Sequence, residues 1–169
     1  MFVESMTFEE IRREFEKDKL SLISKVRFHS AKVIKHMRKT NMSTLDKYYE
    51  YVSPRKNRFV YHFMVTSSKK EDFVINVYAY FFTKRSYAVL IYSSTTDRLL
   101  YCTSHLFTRY NQRHELDNDI VHELIKKFMN DDNITVAHHL KPMGNGVWQA
   151  FIQMKTGVAL GYIHKHINL

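Results

Sequence analysis

In the stretch SHLFTRYNQRHELDNDIVHELIKKF, residues 104–128, apolar side chains recur every three to four residues. The sequence on either side instead runs in short blocks rich in Val, Ile, Tyr and Phe. A helical pair set between two groups of strands is the expected result, and an α+β fold with it. Val121, Leu124, Ile125 and Phe128 fall at i, i+3, i+4 and i+7, the clearest amphipathic signal in the chain. Burying them contributes about 1.5–3 kcal/mol each. Ser104 is the expected N-cap of the first helix of the pair, and Asp117 or Asn118 that of the second. MNDDN, residues 129–133, closes it.

Upstream, RFVYHFMVTSS, DFVINVYAYFFTK, SYAVLIYSS and DRLLYCT each read as a strand. Their connectors are short enough for hairpins, which makes an antiparallel meander the simplest topology. Downstream, strands are expected at residues 134–139, 147–154 and 158–163, with turns at MGNG and KTG. Before the meander, Thr7 followed by Glu10 is a capping-box signature, so a helix begins near Thr7 with Phe8, Ile11 and Phe15 on its apolar side. The helical pattern continues from Leu20 to about Lys39, with Leu22, Ile23, Val26, Val33 and Met37 as the buried stripe. STLDKYYEYV reads as a further short helix that stops before Pro54. The expectation is one α+β domain over residues 1–169: N-terminal helices to residue 56, an antiparallel β-meander over 57–103, the helical pair over 104–132, and C-terminal strands over 133–169. Both strand groups can join in a curved sheet with the second helix of the pair across it. HKHINL follows a strand-like run directly, leaving a C-terminal edge strand through which the chain can pair with another copy.

A chain of 169 residues, 44% hydrophobic and 14% aromatic, has the material for a real core. Four glycines and two prolines leave little room for long loops. Cys102 is the only cysteine, which excludes an internal disulfide and a cysteine-based zinc site. A lone thiol, a charged N-terminal segment and no apolar run beyond VYAYFF are read as a cytoplasmic protein without a membrane partner. The net charge of +9 favours phosphate polymers or acidic partners.

Within residues 104–113, His105, Arg109 and Arg113 share one helix face, at steps of about 40°. Leu106, Phe107 and Tyr110 take the opposite sector. A histidine can move a proton near neutral pH, and an arginine can hold a phosphate through two hydrogen bonds. Cleavage by RNA's own 2′-hydroxyl would need neither metal nor other cofactor. These three are the candidate catalytic residues. The bland reading is a solvated face whose arginines pair with Glu115 or Asp119.

The His-x-x-x-Arg-x-x-x-Arg helix followed by strands, over residues 98–169, resembles the barnase–EndoU–colicin–RelE-like nuclease superfamily. The resemblance implies a metal-independent RNase-like or toxin-like activity at His105 and Arg109, with Arg113 one turn on. It also implies a further catalytic group late in the sheet, where Tyr162, His164, Lys165 and His166 stand. The family plan has four strands after its helices; three are expected here.

Lys25, Arg27, Lys32, Lys35, Arg38 and Lys39 lie in a segment without a single acid. They are the candidate nucleic-acid-binding residues, with a solubilising helix face as the alternative. Tyrosines interleaved with Lys47, Arg55, Lys56 and Arg58 can stack bases or form cross-strand pairs. The histidine pairs 138–139 and 164/166, and the pair His114 and His122, lack the spacing of a known metal motif. The expected partner is nucleic acid, RNA before DNA. The alternative is an acidic protein, bound by a non-catalytic interaction or inhibitor module of a phage or mobile element.

Overall fold

The computed structural model describes residues 1–65, 73–84, 86–93, 98–115, 120–131, 136–144, 147–154 and 157–164. The fold is α+β, in two compact units, Met1–Lys84 and Arg85–Leu169.

The first unit is a long helix on a three-stranded antiparallel meander. Helix α1, Phe8–Thr40, starts at the expected capping box: Thr7 accepts from the Glu10 backbone N–H, while the Glu10 carboxylate accepts from the Thr7 N–H at 2.7 Å. It ends at Asn41, whose left-handed φ of 54° is a conformation asparagine tolerates. Ile11, Phe15, Leu22, Val33 and Met37 are buried as the periodicity requires, while Ile23 and Val26 are only half-buried. Strands β1, Leu45–Val52, β2, Arg58–Val65, and β3, Phe73–Phe82, pair in chain order. Residues 45–52 are therefore strand where a short helix was expected. Asp46, Lys47 and Glu50 obscure the alternation, but Tyr49 and Tyr51 face Tyr61 and Phe59 across the ladder, and this cross-strand aromatic packing outweighs local helix propensity.

Phe15, Phe59, Tyr61 and Phe63 form the heart of this core. Phe2 caps it, its ring 6.1 Å from Phe59 and 5.9 Å from Phe81. At one end, the β1–β2 turn docks on α1 through polar groups. Arg55 donates twice to the Glu14 carboxylate at 2.8 Å, and the Met1 amino group adds a bond at 2.6 Å. Ser53 Oγ and Asn57 Nδ2 each donate to Asp18 Oδ2 at 2.7 Å.

The second unit has strands β4, Tyr87–Ser93, and β5, Arg98–Thr103, then helices α2, Ser104–Arg113, and α3, Val121–Asp131. Strands β6, Val136–Gly144, β7, Val147–Met154, and β8, Gly157–His164, follow. The sheet order is β4-β5-β8-β7-β6, antiparallel throughout. The upstream hairpin thus joins the downstream strands in one five-stranded sheet, and the helical pair spans the crossover from β5 to β6. Leu124, Ile125 and Phe128 are buried as expected, Met129 is buried with them, and Val121 is half-buried. Phe128 packs against Phe107 and Tyr110 of α2, at 5.0 and 5.2 Å between ring centroids. Tyr110 also donates to Asp131 Oδ2 at 2.7 Å, tying the two helices together.

Two further expectations need correction. Thr103, not Ser104, is the N-cap of α2, and no side chain caps it, because β5 runs straight into the helix. The last strand is not an edge: β8 pairs with β5 on one side and β7 on the other, so it offers no free ladder to a second chain. The edge on that side of the unit's sheet is β6, which ends at Gly144 with φ 93°, a value that favours glycine. The expected capping residues Asp117 and Asn118 lie outside the described residues.

Candidate functional site

Charge divides α1 into two halves. Toward the N-terminus, cations are neutralised locally: Arg13 by Glu9 at 2.5 Å, Lys17 by Glu14 at 3.6 Å, and Lys19 by Glu16 at 3.4 Å. From residue 19 to residue 40 there is no acid. Lys25, Arg27, Lys32, Lys35, Arg38 and Lys39 are all exposed, and none forms an ion pair among the described residues. The helix dipole accounts for cations in the last turn, Arg38 and Lys39, but its effect fades too fast to account for Lys25, Lys32 and Lys35. Lys25, Lys32 and Lys39 recur at seven-residue intervals, so they line up along about 21 Å of helix. Lys35 lies beside that line. Arg27 and Arg38 point to the other flank, and the six expected residues form one row with two outliers.

Next to the row, α1 meets the outer strand β1 in a series of rings. Phe28 is 52% exposed although it sits among the lysines, and Lys32 Nζ lies 4.3 Å from its ring centroid. The Phe28 ring meets His29 edge-on at 5.3 Å, and His29 lies against Tyr49 of β1 at 4.2 Å. Lys47 Nζ stands 5.4 Å from the Tyr49 ring centroid. Burial, helped by the nearby Lys32 and Lys25 ammoniums, holds the His29 imidazole below its ordinary 6.5. The ring is therefore neutral at physiological pH and adds no charge to the row.

Of the interleaved tyrosines and cations that could stack bases or form cross-strand pairs, most are engaged within the fold. Tyr48 stacks on the buried His62 at 4.1 Å, and His62 Nε2 lies 2.7 Å from Asp46 Oδ1. Tyr51 packs on Phe59, and the Arg55 guanidinium is committed to Glu14. Phe28 was not singled out by sequence reasoning. The available signal was that Phe28 falls about 120° around the helix from Leu22, off the apolar stripe and onto the lysine side.

On α2, His105, Arg109 and Arg113 are all exposed on the face opposite Phe107 and Tyr110. Among the described residues neither arginine pairs with a carboxylate. Arg109 Nη1 instead donates to Gln112 Oε1 at 3.3 Å. Arg113 extends toward the start of β8, where its Nη1 lies 3.4 Å from the position a Cβ on Gly157 would take. The three positions are spread over about 12 Å of helix axis, so they form a row and do not converge on one atom.

Tyr162 and His164 occupy β8, with backbone pairings to Tyr101 and Val147 respectively. Lys165 and His166 lie outside the described residues. No group of three His, Cys, Asp or Glu placed to hold a metal occurs among the described residues. Cys102 is buried, and burial pushes its thiol up to about 12, so it is no nucleophile at neutral pH. Among the described residues, no helix is long and apolar enough to cross a membrane. Comparison with protein-family models, with curated proteins and with solved structures finds no match to this chain.

Proposed function

We propose that this chain binds nucleic acid, RNA in preference to DNA, through the C-terminal half of α1. One observation carries the reading: three lysines in the middle of a helix stay exposed and form no ion pair among the described residues, while Arg13, Lys17 and Lys19 nearer its N-terminus each pair with a carboxylate. A solubilising face has no reason to segregate charge in this way. A phosphate backbone does, because each contact releases condensed counterions and requires a cation that no acid already occupies. The interaction is with the backbone and gives little sequence preference. Replacing Lys25, Lys32 and Lys35 together by serine is expected to weaken binding of an RNA oligomer by at least tenfold at low salt. It should also reduce the slope of log K against log salt by about 2. Undiminished affinity and slope in fluorescence-anisotropy titrations would refute the assignment. Absence of wild-type binding to RNA and DNA at low salt would favour the acidic-protein partner instead.

A second reading, RNA cleavage at α2, has support in the exposed, unneutralised face of His105, Arg109 and Arg113. The uncapped first turn of α2 adds backbone N–H groups and the positive end of the helix beside His105. In this reading His105 transfers the proton and the arginines hold the flanking phosphates. The spread of the three along the axis suits a gripped strand better than a single reacting phosphorus, which is why binding stands first. Incubation with labelled RNA in EDTA decides: cleavage by wild type, lost in His105→Ala and Arg109→Ala, is the outcome for an enzyme.

A further inference from the structure

We infer that the α1 row takes single-stranded nucleic acid, and that Phe28 is the ring on which a base stacks. The inference rests on the proposed binding function and specifies the substrate class of that site. Phe28 is exposed beside the lysine line, between Lys25 and Lys32 along the helix axis, and it is not part of the buried core. Lys32 Nζ lies over the Phe28 ring, 4.3 Å from the centroid, so a base stacking on that face displaces the ammonium, which is then placed to meet the adjoining phosphate. Behind it the series continues through His29 to Tyr49 and Lys47 at the outer strand, giving the ring a fixed backing.

A duplex buries the faces of its bases, so it can use the lysines but not the phenyl ring. A single strand can use both. The His29 ring, neutral and packed edge-on to Phe28, does not compete for phosphate. An acidic peptide would engage the lysines equally well but would leave Phe28 without a partner of matching shape. That makes single-stranded nucleic acid the occupant the geometry favours.

The test compares a 12-nucleotide oligouridylate with an RNA hairpin duplex, each titrated into wild type, Phe28→Ala and Phe28→Trp by anisotropy at low salt, with polyglutamate as competitor. Phe28 is exposed, so both substitutions should leave the far-ultraviolet circular dichroism and melting temperature unchanged. The expected result is that Phe28→Ala weakens the single strand by about tenfold and the duplex by less than twofold, while Phe28→Trp restores single-strand affinity. Equal effects on both nucleic acids, or no effect on either, would overturn the stacking inference while leaving phosphate binding by the lysines intact. So would polyglutamate competing as well as the oligomer. If wild type binds neither oligomer, the underlying nucleic-acid reading fails, and the Phe28 assignment falls with it.

Discussion

Glu14 and Asp18 lie one turn apart on the buried side of α1, and each is held by a different part of the β1–β2 turn. The Arg55 guanidinium, bonded through two nitrogens, is the main reason the Glu14 carboxyl drops from its ordinary 4.5 to about 2, with the Met1 amino group assisting. A depressed carboxylate stabilises the fold above its unfolded value and loses that contribution as pH falls toward the folded one. Glu14→Gln is therefore expected to cost about 1.5–3 kcal/mol near neutral pH, the range for a hydrogen bond to a charged group. The difference from wild type should narrow between pH 4.5 and about 2. Urea melts across that range provide the check; a pH-independent gap would mean that packing, not ionisation, is what Glu14 contributes. Nothing in the sequence announced this pair. Arg55 looked available for a phosphate because its partner stands 41 residues away, and a contact of that range leaves no local trace.

Helices α1 and α3 were legible because their apolar positions repeat with the helical period over several turns. The capping box, the buried face of α3 and most strand positions follow from the same local rule. Ile125 and Phe128 are fully buried, and their neighbours Leu124 and Met129 are nearly so. Ile125→Asp should leave a charge without a partner in that core and abolish cooperative unfolding, which differential scanning calorimetry will show; a soluble variant with an unchanged melting transition would contradict the packing described for α3. Strand β1 was misread because its outward residues are charged and its inward tyrosines acquire their meaning only from β2. The lysine row was visible as composition, and the helix arranges it into a line. The Phe28–His29–Tyr49 series was not visible, since it joins residues from two elements. His105, Arg109 and Arg113 were correctly placed on one open helix face, but their spread along the axis changes what that face can do.

At the scale of the chain, the two units obey the same principle, helical surface against antiparallel strands, with opposite economy of connection. In the first, β1, β2 and β3 pair in the order in which they occur. In the second, β8 enters between β5 and β7, so chain order and sheet order part company. Local periodicity identified those strands, but no local feature could state that β8 pairs with β5 across some 60 residues of intervening chain. This arrangement bears on how the protein emerges from the ribosome. The β4–β5 and β6–β7 hairpins can form as soon as they leave the exit tunnel, yet neither can join the other until β8 has been translated. The nascent chain must carry two unjoined hairpins, each with an open edge, until its latest strand arrives, and that interval is when a chaperone would have most to shield.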